Sequence, residues 1–137
     1  MSNLFSVFGV SGSALDVYKT WLDAVSDNIA NANDTSPTSG PAFQARYVLA
    51  QGVQGGPEGV GAGVAVAGVA YGPAGGIEVY DPTNPVADKQ GMVRKPNIDM
   101  GEQMTAMMIA ERGYEANLAV VSRAATAYQA ALSIANA

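Results

Sequence analysis

Apolar residues recur every three or four positions at both ends of the chain, and the middle of the chain lacks this spacing. Steps that alternate between four and three residues are typical of the buried seam of a coiled coil, so they predict amphipathic helices. The first series runs through Leu4, Phe8, Ser11, Leu15, Tyr18, Leu22, Val25, Ile29 and Ala32. Only polar Ser11 interrupts it, and a helix is therefore predicted at this end.

The limits of this first helix follow from its capping residues. Gly9 and Gly12 weaken the first turns, so regular helix is predicted to begin near Ser13, which is a plausible N-cap with Asp16 three residues later. The end is predicted between Asn31 and Asn33, because asparagine adopts the left-handed C-cap conformation more easily than most residues.

The second series is longer and predicts a second helix near the other end. It runs through Met100, Met104, Met107, Glu111, Tyr114, Leu118, Val121, Ala125, Tyr128, Leu132 and Ala135. At 1.5 Å per residue this helix would be roughly 50 Å long. Gly113 lies inside it and costs about 1 kcal/mol relative to alanine, which packing must offset.

The middle of the chain is rich in glycine and predicts short strands instead of helices. Strands are predicted at residues 43–51, 64–71 and 77–80, with a glycine-rich loop over residues 52–63. Three parts follow, namely an N-terminal helix in residues 1–33, a loop and β-rich insert in residues 34–96, and a C-terminal helix in residues 97–137. The predicted fold class is mainly α with a small β insert, its terminal helices paired as a coiled-coil-like hairpin.

Composition indicates a thin core and excludes several kinds of partner. Hydrophobic residues make up 48% of the chain, but 16 glycines, one Trp and three Phe leave little large apolar surface, so cores shared with other subunits are expected. The net charge is −5 with only seven Lys and Arg, so the chain is not expected to bind nucleic acid or to be attracted to an anionic membrane, both of which carry negative charge.

The absence of Cys and His removes thiol catalysis, disulfides, imidazole bases and the usual ligands of zinc. The first ten residues lack the positive region of a signal peptide, since the first basic residue is Lys19, so no classical signal peptide is predicted. The run from residue 60 to 71 is too short and too rich in glycine to span a bilayer, so no direct membrane insertion is expected.

Two sets of residues could carry chemistry, and both are better explained by structure. The carboxylates Asp81, Asp88, Asp99 and Glu102 lack the spacing of a calcium loop, Asp81 stands before a proline in a turn, and Asp99 can cap the second helix. The glycines of residues 59–63 lack the Lys-Ser/Thr of a phosphate loop. No metal or cofactor is expected, although an acid-catalysed hydrolase using Asp81 and Asp88 stays open as an alternative.

Three motifs, one near each end and one in the centre, match a known family. Residues 26–33 read Ser-Asp-Asn-Ile-Ala-Asn-Ala-Asn and follow Gly-Ser-Ala-Leu at residues 12–15. Residues 79–88 read Val-Tyr-Asp-Pro-Thr-Asn-Pro-Val-Ala-Asp, residues 91–99 read Gly-Met-Val-Arg-Lys-Pro-Asn-Ile-Asp, and residues 112–117 read Arg-Gly-Tyr-Glu-Ala-Asn. In this order the motifs resemble those of flagellar rod, hook and related axial proteins, and the central tract resembles that of a proximal-rod member.

The resemblance implies a structural subunit of the bacterial flagellar basal-body rod, and no enzyme. It implies export by the flagellar export apparatus, assembly in the periplasm with other rod proteins and with copies of itself, and paired terminal helices that enclose the export channel and transmit torque. A secreted helical adaptor that forms a finite complex with one partner is the alternative.

The assembly interface is predicted on the two terminal helices. Its residues are Leu15, Tyr18, Leu22, Val25, Asn28, Ile29, Asn31, Met104, Met107, Tyr114, Asn117, Leu118, Val121, Ala125, Tyr128 and Leu132. Leu15, Tyr18, Leu22, Val25 and Ile29 are expected to lie against residues 114–128, and Asn28, Asn31 and Asn117 to satisfy hydrogen bonds at the helix contacts. Val17, Trp21, Ile109 and Val120 lie outside the strict seams and are expected to need cover from neighbouring copies.

Overall fold

The computed structural model describes residues 2–55 and 61–135, with side chains described from residue 6 onward in the first helix. The elements in chain order are α1 (Ser2–Asn31), β1 (Arg46–Val53), β2 (Gly63–Tyr71), β3 (Ile77–Tyr80), β4 (Met92–Lys95) and α2 (Met100–Ala135). The fold is therefore mainly helical with a small β insert, and this fold-class prediction is confirmed.

Helix α1 begins eleven residues before the predicted start, at Ser2 instead of Ser13. Ser13 is not an N-cap, because its hydroxyl donates to the carbonyl of Val10 at 2.7 Å and accepts the N–H of Val64 at 3.1 Å. The glycines therefore stay helical while this helix is held against β2. The predicted seam position Leu4 lies in the helix, but its side chain lies outside the described residues.

The insert consists of two separate two-stranded antiparallel ribbons. In the first ribbon Arg46 pairs with Tyr71 and Gly52 with Val64, with an irregularity in register between Leu49 and Ala50. The predicted glycine-rich loop at its tip lies partly outside the described residues. Strands predicted over residues 64–71 and 77–80 correspond to β2 and β3, and β1 begins three residues later than predicted.

The second ribbon contains β4, a strand that the sequence analysis missed. Val79 pairs with Val93, and Ser36 extends the ribbon through two 2.8 Å main-chain hydrogen bonds with Arg94. Strand β4 has only four residues, two of them charged, so its apolar signal is weak. Its Val93 is nevertheless fully buried.

The two helices and the first ribbon form the packed part of the molecule. Among the described elements, α1 contacts α2, β1 and β2, whereas the ribbons do not contact α2. Helix α1 is thus the central element. Neither α1 nor α2, the two helices in the described ranges, is apolar over a length sufficient to cross a lipid bilayer.

Candidate assembly interface

The two terminal helices lie side by side and run in opposite directions. The amide of Asn28 donates to the side-chain oxygen of Gln103 at 2.9 Å. The ring of Tyr18 lies against Gly113, at a place where any side chain would overlap it. Tyr18 is ten residues before Asn28, while Gly113 is ten residues after Gln103. Because both helices rise equally per residue, the two contacts define one antiparallel register.

This register corrects part of the predicted pairing. It places Leu22, Val25 and Ile29 beside the part of α2 that precedes Gly113, so the prediction that they face residues 114–128 is wrong. A seam of repeating apolar residues is compatible with several registers, and it does not choose among them. The hydrogen bond between Asn28 and Gln103 selects one register, because a buried amide must meet its hydrogen-bond partner.

Asn28 is the polar centre of the helix contact and is 0% exposed. Its amide donates to the carbonyl of Arg46 and to Gln103, both at 2.9 Å, and its oxygen accepts the Arg46 N–H at 2.8 Å. It therefore joins α1, α2 and the start of β1. Asn31 and Asn117 differ, since each donates to a carbonyl four residues earlier in its own helix, at 2.7 and 2.8 Å. The prediction of hydrogen bonds across the contact is confirmed for Asn28, whereas those of Asn31 and Asn117 are local.

The buried face of α2 carries small or polar residues. It shares every second position with the predicted seam, and at the positions in between the buried residue precedes the predicted one by one. Gln103, Ala110 and Ala124 are buried, whereas Met104 and Leu118 are 57% and 50% exposed. The positions common to the buried face and the predicted seam are half-buried, namely Met107, Tyr114, Val121 and Tyr128. The predicted interface residues Asn117 and Ala125 are half-buried as well. Small residues allow the helix axes to approach closely, and this is why the larger neighbours are turned outward.

On α1 the predicted interface residues are covered to different degrees. Val25 is buried, and Leu15, Tyr18, Leu22, Ile29 and Asn31 are half-buried. Val17, expected to need cover from another copy, is instead buried within its own chain, on the side of α1 that carries the first ribbon. Trp21 is half-buried and stacks on Tyr18, with ring centroids 6.2 Å apart and an angle of 18° between the rings.

Six of the eight large apolar side chains of α2 that stay exposed form two flanks on either side of the buried face. One flank carries Met104, Leu118 and Leu132, and the other carries Ile109, Val120 and Ile134. At about 100° of rotation per residue, the two flanks lie about half a turn apart. Ile109 and Val120 are therefore uncovered within the chain, as expected. Helix α2 is thus apolar on three sides, and its own chain covers only one of them.

A groove lies between the first ribbon and α2, with α1 as its floor. Its volume is about 300 Å³, and its lining residues are Ala14, Val17, Tyr18, Trp21, Val48, Ala50, Val64 and Asn117. We call it the ribbon groove. Its walls are mostly apolar and none of these lining residues is charged.

The central motif of the sequence forms the loop that joins β3 to β4. Asp81 accepts hydrogen bonds from Asn84 and Thr83, which lower the pKa of its carboxyl. Asp88 accepts the N–H of Met92 and the Thr38 hydroxyl, and these lower its pKa in the same direction. A general acid near neutral pH needs a raised pKa, so both carboxylates are better suited to holding the loop than to acid catalysis.

The remaining carboxylates have an equally local role. Asp99 accepts the N–H groups of Gly101 at 2.7 Å and Glu102 at 3.0 Å, so the predicted capping of the second helix by Asp99 is confirmed. Within residues 2–55 and 61–135, no three acidic side chains lie close enough together to hold a metal ion.

This arrangement defines a class of protein, namely one with paired terminal helices, a small β insert and exposed apolar flanks on the second helix. Comparison with known families agrees, because residues 89–134 match the family described as flagellar basal body rod FlgEFG protein C-terminal.

Flagellar basal-body rod proteins FlgC from several bacteria are similar to the chain over most of its length. The protein from Escherichia coli O6:H1 is 36% identical over 119 residues, which cover 87% of this chain and 88% of the relative. The protein from Borreliella burgdorferi is 33% identical over 147 residues, covering 96% and 97%. The protein from Agrobacterium fabrum is 38% identical over 125 residues, covering 88% and 87%. The chain belongs to the FlgC family of flagellar basal-body rod proteins.

Proposed function

We propose that this chain is a structural subunit of the flagellar basal-body rod, that it polymerises through its terminal helices, and that it has no enzymatic role. Its partners are copies of itself and other rod proteins. The names of the FlgC relatives support the rod as its location. Assembly in the periplasm, delivery by the flagellar export apparatus without a cleaved signal, and a place in the proximal rod are further parts of the proposal.

The observation that carries the proposal is the pair of apolar flanks on α2. Covering these exposed apolar side chains would be favourable, and a neighbouring protein is one source of such cover. Leu118 lies in the middle of one flank, and Met104 and Leu132 each lie about four turns from it along the helix. Neighbouring subunits on both sides of α2 would cover both flanks at once, as in a tube of packed helices.

The mechanical role follows from many weak contacts acting together. A single pair of atoms in contact contributes only about 0.1–0.2 kcal/mol, but a helix of this length makes many such contacts and they resist shear collectively. In this proposal residues 1–33 and 97–137 form the helical core that encloses the channel and transmits torque. Residues 34–96 form an insert attached to α1.

Substitution of Leu118 tests the proposal. Leu118→Asp introduces a charge in the middle of one flank, at a position exposed in the single chain, so we expect normal folding but loss of incorporation into rods. The neighbouring position offers a matched control, because Ala119 is exposed and lies between the two flanks. Ala119→Asp should therefore be tolerated.

The measurements are swimming in soft agar and electron microscopy of basal bodies, in a flagellated bacterium whose own rod gene is replaced by this one. Circular dichroism of both purified variants checks the helices. Normal swimming with Leu118→Asp would contradict the proposed interface. A closed complex with one other protein, instead of rods, would support the adaptor alternative.

A further inference from the structure

The ribbon groove is a mostly apolar surface between the first ribbon and α2, and its lining residues carry no charge. Its floor carries the stacked rings of Tyr18 and Trp21, and one wall carries Val48 and Val64. A volume of about 300 Å³ has room for more than one aliphatic side chain. The residue types favour an apolar, uncharged occupant, because a charge buried there would have no counter-ion among the lining residues.

The last turns of α2 have the matching chemistry. After Arg123 there is no charged side chain in the rest of the helix, and residues 129–135 are all exposed. Ile134 is 78% exposed, more than any other large apolar side chain in the described part of the chain. Ala131 and Ala127 lie about one and two turns before it on the same side of α2. Together they form a narrow apolar ridge.

The distribution of charge favours contacts between copies that are made through uncharged surfaces such as these two. All charged side chains lie between Asp16 and Arg123, and the chain carries a net charge of −5. Because the net charge is negative, two copies repel each other overall, and a contact between uncharged surfaces adds least to that repulsion. The groove and the end of α2 are both free of charge, so they can meet without repulsion and without burying a charge.

We propose that the ribbon groove of one copy receives the uncharged end of α2, led by Ile134, from a second copy. This contact would be one of those through which the chain assembles, so the proposal rests on the assembly function proposed above. The two surfaces are different parts of the chain, so the contact is head-to-tail and leaves a free groove and a free end on each pair. Contacts of this kind extend into open assemblies unless a rotation closes them.

The absence of cysteine allows a direct test on the full chain. Two single variants are prepared, Ala50→Cys in the groove wall and Ile134→Cys on the ridge, then mixed in equal amounts and exposed to a mild oxidant. We expect the mixed disulfide to exceed, several-fold, the amount formed when Ala119→Cys replaces Ala50→Cys. Ala119 is exposed and helical spacing places it about 200° from Asn117, away from the groove.

A second variant tests the charge argument at a position that is exposed in the single chain. Ala131→Asp, added to the Ile134→Cys chain, should lower the mixed disulfide several-fold with unchanged circular dichroism. The proposal is overturned if the mixed product is no more abundant than the control, if Ile134→Cys links mainly to itself, or if Ala131→Asp has no effect. Swimming of cells that carry the unmodified gene tests the rod function separately, so either idea can fail alone.

Discussion

Replacement of Asn28 by alanine tests whether the polar centre holds the three elements together. The change removes the partner of three groups, namely the N–H and the carbonyl of Arg46 and the side-chain oxygen of Gln103. An unsatisfied buried group costs about 1–3 kcal/mol. The two hydrogen bonds to Arg46 are only partly buried, so each of them is expected to cost about 1 kcal/mol, the lower end of this range. The free energy of unfolding should therefore fall by about 3–5 kcal/mol.

Asn31 provides a matched control within the same motif and the same helix. Its amide makes one local hydrogen bond, to the carbonyl of Asp27, and this contact is partly buried. Asn31→Ala loses about 0.5–1.5 kcal/mol from that bond, while the better helix propensity of alanine returns about half a kcal/mol. The expected net change is therefore below about 1 kcal/mol.

Urea unfolding followed by circular dichroism measures both variants. With a slope of about 2 kcal/mol per M, Asn28→Ala should lower the midpoint by about 2 M, and Asn31→Ala by less than about 0.5 M. Equal losses for the two variants would refute the reasoning, because they would show that the contact to Gln103 and Arg46 contributes no more than a local bond.

Two further predictions concern a glycine and a carboxylate. Gly113→Ala should destabilise the chain although alanine favours helix by about 1 kcal/mol, because its methyl group would overlap the ring of Tyr18. The same change made in a Tyr18→Ala background should be stabilising, and urea unfolding of the four chains measures the difference. The pKa of Asp88 is lowered from its ordinary value of 3.8, so its stabilisation of the loop is present at neutral pH and is lost as the pH falls below that value. Hydrogen exchange at the N–H groups of Gln90 and Met92, which donate to this carboxyl, should lose protection in acid and in Asp88→Asn, and unchanged protection would contradict the assignment.

The sequence predicted the two helices well because each has a long and regular apolar period. It did not predict where α1 begins, because Gly9 and Gly12 each disfavour helix by about 1 kcal/mol when considered alone. In the fold, Ser11 is buried within that region and Ser13 is bonded to β2, so tertiary contacts outweigh local propensity. Strand β4 was missed for the opposite reason, since its short charged sequence becomes a strand only through pairing with β3 and Ser36.

The position of the buried seam was predicted only in part, because α2 is apolar on more than one side. Periodicity identifies the buried face of a helix when its other faces are polar. In α2 it does not, because Met104 and Leu118 define one apolar face and Ala110 and Ala124 define another. The larger residues dominate the pattern, yet the smaller ones are buried. The polar residues Gln103 and Asn28 were the more informative signal, since a buried amide pair fixes both register and face.

The fold thus leaves most of the larger apolar residues of α2 exposed in the single chain. The six exposed side chains on the two flanks of α2 are between 42% and 78% exposed, so covering them would contribute about 5–10 kcal/mol in total. Association of two proteins opposes this with about 4–15 kcal/mol of lost rotational and translational freedom. One neighbour covers one flank only and can give no more than a weak, reversible pair. A subunit that joins a growing assembly loses its rotational and translational freedom once, but it contacts several neighbours that cover both flanks. These flanks therefore favour addition to an existing rod over pairing of free chains.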